Sequence, residues 1–227
     1  MIGVIPAAGN GTRLGEKSKS LTKVNGKFLI EYPLQNMLDL GIYHVVIIQN
    51  GKDIENEIQY NWNGIKIEYV TQVKKKGTAH AISLAKKLCG EDDICVILGD
   101  IVSDMPLMKM RAEFYSKDYD CLVGAICVLD KEEIKKSYGI YHSGKFIEKP
   151  TDVSNLLTVM GLGFFMFKPT LFDMIKITPK NKLKKEHDII DVLNQFKNSG
   201  FFMMIGNYKN INTPEELQEV SNEKNNI

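Results

Sequence analysis

Ile2-Gly3-Val4-Ile5-Pro6-Ala7-Ala8-Gly9-Asn10-Gly11-Thr12-Arg13-Leu14 is the stretch on which the fold turns. Its first five residues read as a buried strand, which breaks at a loop of small residues and glycines. Small residues let backbone N–H groups approach a phosphate chain, and glycine supplies the curvature. Arg13 adds a planar cationic fork for phosphate oxygens. The loop is not a P-loop, because Gly-Lys-Ser/Thr is missing, and it is not GxGxxG, because Leu14 fills the last glycine position.

Outward from that loop, apolar runs alternate with helical spacing. Residues 29–40 predict a helix that Gly41 stops. Residues 43–48 are rich in β-branched side chains and end before Asn50-Gly51, so they predict a second strand. A helix over 53–60, a strand over 65–70, an alanine-rich helix over 77–88 and a buried strand over 94–98 follow. This alternation predicts an α/β three-layer sandwich: a mixed, mostly parallel Rossmann-like sheet with helices on both faces. Ligands of such sheets sit at the C-terminal strand ends, near a topological switch point. The second half is less regular. Strands are expected over 121–129, 139–142, 145–147, 162–167 and 201–205, with helices over 105–116, 170–175, 186–198 and 214–222. No internal repeat or low-complexity linker interrupts the chain, so one domain over 1–227 is expected, with two halves, 1–118 and 119–221.

Composition narrows the function classes. Lys+Arg number 29 and Asp+Glu 28, a net charge of +1, which argues against a nucleic-acid or anionic-membrane binder working by bulk charge. Phosphate chemistry must therefore rest on locally placed cations. No apolar run approaches the roughly 18 residues of a membrane span, and no basic flank precedes residues 1–8 as in a signal peptide. Cys89, Cys95, Cys121 and Cys127 form no CxxC pair. They are expected to be reduced core thiols of a cytoplasmic protein, Cys121 and Cys127 sharing one strand face with Val123 and Ala125.

The loop is followed by Ser18-Lys19-Ser20-Leu21-Thr22-Lys23-Val24-Asn25-Gly26-Lys27. Gly9-x-Gly11-Thr12-Arg13, a lysine six residues on, and Val24-x-Gly26-Lys27 before a helix resemble the opening of the nucleotidyltransferases acting on sugar 1-phosphates, G-x-G-T-R…P-K-x-L-x-x-V-x-G-K-P-L-I. Ser18 and Phe28 depart from it where the family has prolines. The resemblance recurs down the chain. Gln72-x4-Gly77-Thr78-Ala79 is similar to the family's base-reading Q…G-T-A, and a glutamine amide with exposed backbone at a helix start suits a pyrimidine edge and ribose. Lys74, Lys75 and Lys76 between them read as a solvated face. Leu98-Gly99-Asp100 resembles the L-x-G-D whose aspartate binds metal, and a carboxylate at a strand end suits Mg²⁺. Asp104 is the better candidate to cap the following helix.

Tyr138-Gly139-Ile140-Tyr141 and Ile147-Glu148-Lys149-Pro150 resemble Y-G-V…E-K-P, whose glutamate accepts from sugar hydroxyls and whose lysine binds the acceptor phosphate. Val159-Met160-Gly161-Leu162-Gly163 takes the place of an N-x-G-I-Y run, with Gly161 at the expected asparagine, so a usual contact is missing. Glu186-His187-Asp188-Ile189-Ile190-Asp191 resembles E-x-x-I-T-D, with Glu186 a sugar contact and His187 exposed at a helix start. Tyr208-Lys209-Asn210-Ile211-Asn212-Thr213-Pro214-Glu215-Glu216-Leu217 resembles W-x-D-x-x-T-P-E-D-L, where the second metal ligand falls on Asn210 or Asn212. Thr213-Pro214-Glu215-Glu216 independently reads as a helix start.

The resemblance implies a Mg²⁺-dependent transfer of a pyrimidine nucleotide (from CTP, UTP or dTTP) to a sugar 1-phosphate, with release of pyrophosphate. Arg13 and Lys19 would be catalytic, Ala7, Ala8, Gly9, Gly11, Thr12, Gln72, Gly77 and Thr78 would bind nucleotide, and Gly139, Glu148, Lys149, Gly161 and Glu186 would bind the acceptor. Asp100 with Asn210 or Asn212 would hold the metal. The chain stops about ten residues after the last motif, as a bare core would. With Gly161, that leaves open a non-sugar acceptor such as phosphocholine or a phosphonate with CTP as donor. A non-catalytic nucleotide sensor is the remaining class, though Arg13, Lys19 and Asp100 are all retained. A homodimer is common in the family.

Overall fold

The computed structural model describes residues 1–9, 18–181 and 185–223. In β1 (Ile2–Pro6) side chains alternate between two cores. Ile2 and Val4 enter one, and Ile5 enters the other. A lysine-bearing 3₁₀ turn (Lys19–Leu21) and a hairpin of β2 (Lys23–Val24) and β3 (Lys27–Phe28) precede α1 (Glu31–Asp39). Then come β4 (His44–Gln49), α2 (Asp53–Ile58), β5 (Asn61–Trp62), β6 (Ile65–Thr71), α3 (Thr78–Ser83), α4 (Lys86–Cys89) and β7 (Ile94–Ile97).

Parallel pairing joins β7, β1, β4 and β6 in that spatial order. The chain runs outward from β1 through β4 to β6, then returns to place β7 on the other side of β1. The switch point therefore lies between β1 and β7. Helices α3 and α4 pack on the face carrying Val4, Val46 and Val96, while α1 and α2 pack on the face carrying Ile5, Val45 and Ile97. Each fully buried aliphatic side chain in these layers contributes about 1.5–3 kcal/mol relative to exposure.

Beyond β7 come β8 (Ile101–Ser103), α5 (Leu107–Ser116), β9 (Cys121–Cys127), β10 (Tyr138–Tyr141), β11 (Phe146–Glu148) and β12 (Leu156–Phe167). They are followed by α6 (Leu171–Ile177), α7 (Ile189–Leu193), β13 (Ser199–Met203), β14 (Tyr208–Asn210) and α8 (Pro214–Glu223). The twelve-residue β12 joins the parallel strands to the rest of the sheet, pairing antiparallel with β7 through Phe164–Phe167 and with β10 through its first half. The chain is thus a three-layer α/β sandwich around a mixed sheet with a parallel centre. Among the described residues no helix is long and apolar enough to cross a membrane.

Several elements differ from the sequence reading. The helix expected over 77–88 is two pieces, because Leu84 and Ala85 bond three residues back, to Ala81 and Ile82. The helix expected from 186 starts at Ile189, where the Asp188 carboxylate accepts from the Ile190 N–H and caps it. Asp104 does not cap α5. Its carboxylate accepts from the backbone and side-chain amides of Asn207, 2.8 and 2.7 Å away. Cys89, Cys95 and Cys121 are buried, but Cys127 is exposed. Strand β13 ends opposite Ala125, and Cys127 lies past that cover. Burial pushes the Cys89 and Cys95 thiols up to about 12, which keeps them protonated.

Candidate functional site

The C-terminal ends of β1 and β7 form the floor of a cleft at the switch point. Lys19 reaches into it from the 3₁₀ turn, which Ser20 ties to the Gly99 carbonyl at 3.4 Å. The Lys19 ammonium donates to Asp100 Oδ2 at 2.6 Å and to Asn212 Oδ1 at 2.7 Å. The pair is largely enclosed, with side chains 13% and 24% exposed, so its charge-assisted bonds are stronger than a surface pair's.

Asn210 and Asn212 reach the same place through a ribbon the sequence reading left out. Strand β14 pairs antiparallel with β8, setting Asn210 opposite Ile101, and the Ile211 N–H donates to the Asp100 carbonyl at 2.9 Å. A reciprocal cap then fixes the loop. Glu216 Oε2 accepts from the N–H groups of Asn212 and Thr213, and Thr213 Oγ1 accepts from the Glu216 N–H. This is a capping box at the start of α8.

Two oxygens here are buried without partners among the described residues: Asp100 Oδ1 and Asn210 Oδ1. Unpaired buried acceptors cost about 1–3 kcal/mol each, so both suit a cation. No group of three or more His, Cys, Asp or Glu fit for a metal occurs among the described residues. One carboxylate and one amide oxygen fit Mg²⁺, which takes few protein ligands and completes its shell with phosphate oxygens and water.

On one side of Asp100 lies a compartment of about 270 Å³ lined by Pro6, Ala8, Gly9, Gln72, Lys75, Gly77, Thr78 and Glu186 among others. Ala7 is buried beneath it and does not line it. Gly11, Thr12 and Arg13 lie outside the described residues. Gly77 has φ +95°, and a Cβ there would fall inside the contact radius of the His187 carbonyl oxygen. That close approach allows a backbone strap. His187 N–H donates to the Lys76 carbonyl at 2.8 Å, and Ala79 N–H to the His187 carbonyl at 3.0 Å. Hence His187 is a half-buried residue ahead of α7, not an exposed helix start, and Glu186 beside it borders both sides of the cleft. Lys74, Lys75 and Lys76 are exposed as expected, but Lys75 also borders the cleft, where burial lowers its pKa.

On the other side lies a compartment of about 450 Å³ that shares Gly77, Thr78, Leu98, Asp100 and Glu186 with the first. Tyr138, Glu148, Lys149, Asp188, Tyr208, Asn210 and Asn212 also border it. Register aligns Glu148, Tyr138 and Gly161 across β11, β10 and β12. Gly139 and Gly161 are not brought to the cleft wall. A Cβ on Gly139 would meet Leu156 and Ile134, and one on Gly161 would overlap the Tyr138 ring. That ring takes the space a side chain at 161 would need, and its hydroxyl donates to the Leu162 carbonyl at 2.7 Å. Burial holds the Tyr138 phenol far above its ordinary range. Lys149 is exposed and has φ +41°, with its N–H donating to the Ser137 carbonyl at 2.7 Å. A lysine in the left-handed region is uncommon, and such strain concentrates at functional sites.

Sequence reasoning missed Tyr138, Asp188 and Tyr208 as wall residues. Tyr208 accepts from the Gly163 N–H at 3.3 Å and packs edge-on against Phe164. Asn25-Gly26, both at positive φ, was a legible hairpin signal for β2–β3. Phe28, where the family has proline, uses the N–H a proline lacks to donate to Glu31 Oε2 at 2.6 Å.

Residues 2–225 match the family model described as nucleotidyl transferase. The chain is 27% identical over 239 residues to the low-salt glycan biosynthesis nucleotidyltransferase Agl11 of Haloferax volcanii, covering 97% of this chain and 65% of that protein. It is 26% identical over 213 residues to a UTP–glucose-1-phosphate uridylyltransferase of Staphylococcus epidermidis, covering 76% of this chain and 73% of the relative. The crystal structure of a UDP-glucose pyrophosphorylase complexed with UDP-glucose superposes with TM-score 0.84 at 24% identity, covering 99% of this chain and 98% of that one.

Proposed function

The chain belongs to the nucleotidyl transferase family, and on that premise we propose that it transfers the nucleotidyl group of a pyrimidine nucleoside triphosphate to a sugar 1-phosphate, with Mg²⁺ as its metal. The observation that carries the reading is the shared wall of the cleft. Two compartments meet at Asp100, and the Lys19 ammonium bridges Asp100 and Asn212 there. The names of the Staphylococcus relative and of the pyrophosphorylase support a sugar 1-phosphate acceptor and a uridine nucleotide. Those names give a non-sugar acceptor no support.

In this reading the triphosphate occupies the compartment under Gly9, and the acceptor phosphate enters from the side of Lys149. A phosphate oxygen of the acceptor attacks the α-phosphorus in line. The new P–O bond forms as the bond to the β-phosphate oxygen breaks, and pyrophosphate leaves with the electron pair. A phosphate monoester is already ionised near pH 7, so no general base is required. Lys19 neutralises charge that grows on the α-phosphate, and Arg13 is assigned to the departing phosphates. Catalysis of this kind is mainly positioning and electrostatic stabilisation. Asp100 Oδ1 and Asn210 Oδ1 would hold Mg²⁺, and Asn212 would orient Lys19. When bound, the metal supplies charge neutralisation and alignment of the phosphates.

Pyrophosphate release from UTP and glucose 1-phosphate, followed with Mg²⁺ present and after chelation, tests the proposal. Lys19→Ala and Asp100→Ala should each lower kcat by about a thousandfold while circular dichroism stays native. Undiminished turnover in both variants would sink it.

A further inference from the structure

We infer that His80 sets the orientation of the Gln72 amide, so that only its carbonyl oxygen is offered to the nucleobase, and that this selects uracil or thymine over cytosine. The inference rests on the proposed base contact by Gln72. Gln72 is 5% exposed, borders the nucleotide compartment, and its backbone N–H donates to the Gln49 carbonyl. Its Nε2 lies 3.4 Å from the Gly77 carbonyl oxygen and 2.8 Å from His80 Nδ1. A carbonyl oxygen only accepts, so the amide nitrogen must be on that side. The imidazole contact then has one consistent form, with Nδ1 unprotonated and accepting and the ring proton on the other nitrogen.

Both amide hydrogens are thus committed to the protein, and Oε1 accepts from no described residue. A base edge that meets Oε1 must bring a donor. Uracil and thymine have N3–H at the middle of the edge, between two carbonyls. Cytosine in the same pose has a lone pair there, which would face the lone pairs of Oε1.

The surroundings of His80 favour the neutral ring. Burial on α3 is the main cause, and the Lys76 ammonium, the His187 ring and the Lys180 ammonium add to it, all lowering its pKa. No carboxylate is among those groups. Protonation would put an N–H against the Gln72 NH₂. The amide would then gain by turning over, offering its nitrogen to the base, an arrangement that suits cytosine N3. Preference for UTP should therefore hold at neutral and alkaline pH. It should decline only on the acid side of the ordinary imidazole value of about 6.5.

The test uses the full chain, with kcat and KM for UTP and CTP against glucose 1-phosphate, and Kd for each by calorimetry, from pH 5 to 8. His80→Leu removes the acceptor and should cut the UTP:CTP preference on the order of tenfold, through KM and Kd with kcat little changed. His80→Asn puts Oδ1 at the place of Nδ1, so it should keep the preference but lose the pH dependence. A preference unmoved in His80→Leu and flat with pH in the native protein overturns the role of His80. Gln72→Ala separates the two levels. If it abolishes the preference while His80→Leu does not, only the inference fails. If it too changes nothing, the base contact fails and the inference with it. Binding of neither nucleotide would fell the proposed function.

Discussion

The two compartments on either side of Asp100 are made by different means. The proposed nucleotide side leans on backbone, at the end of β1, at Ala8 and Gly9, and at the Gly77 strap that His187 clamps through two main-chain hydrogen bonds, with the Gln72 side chain set into its wall. The proposed acceptor side is built from side chains on antiparallel strands, where the Tyr138 ring fills the space above Gly161 and Glu148 stands in the same row. Gln72 and its His80 partner apart, a backbone wall tolerates many sequences that keep its path. A side-chain wall can be recut residue by residue, which is the more natural place for acceptor choice to vary.

The sharpest way to break the contrast is to strike an element common to both walls. Gly77→Ala puts a Cβ against the His187 carbonyl oxygen at a backbone φ of +95°. Overpacking and a left-handed alanine together should cost about 2–4 kcal/mol. If the strap yields, Glu186 moves with it. KM for the triphosphate and for the acceptor should both rise, with a fall in Tm seen by calorimetry. A variant that disturbs only one KM would show that the walls are independent.

A one-sided change should follow from Lys149→Ala. Of the two compartments the residue borders only the proposed acceptor one, and a charge-assisted bond to phosphate is worth about 1.5–3 kcal/mol. The acceptor KM should therefore rise by about ten- to a hundredfold while the triphosphate KM stays within about twofold. Equal effects on both would place Lys149 on the phosphates of the nucleotide instead.

The same contrast governs what could be read from the sequence. Strands β1, β4 and β7 were legible as apolar runs buried on both faces, and β6 by its alternation, with exposed Lys66 between buried Ile65 and Ile67. Their order then implies the switch point and the position of Asp100. Lys19 and Asp100 were legible as motif residues, but their 2.6 Å pairing was not, because 81 residues separate them and only the fold closes the gap. Strand β14 is three residues long and earns its pairing from β8, so it carries no periodicity to detect. The Tyr138 ring over Gly161 was invisible for the same reason: a glycine at a strand position says that something approaches, not what. Asp104 was misread because a carboxylate before a helix has two uses, and Asn207, 103 residues away, decided between them.

The smallest effects separate the fold of the last helix from its service to the site. Thr213 and Glu216 share one capping box, yet they do different things. Thr213 Oγ1 accepts a single long bond, 3.3 Å from the Glu216 N–H, whereas Glu216 Oε2 accepts from Asn212 at 2.6 Å and Thr213 at 3.0 Å. Thr213→Ala should therefore cost about 0.5–1 kcal/mol, a Tm decrease of about 2 °C for a chain of this size, with kcat unchanged. Glu216→Ala frees the N–H that fixes the Asn212 backbone, and Asn212 Oδ1 is one of the two anchors of the Lys19 ammonium. It should match or slightly exceed the stability loss of Thr213→Ala and, unlike it, lower kcat about threefold to tenfold. The two variants differ only in whether the loss reaches Lys19. Equal kcat values in both would mean that Asp100 alone holds the ammonium in place, and the nucleotide side would then owe nothing to the last helix.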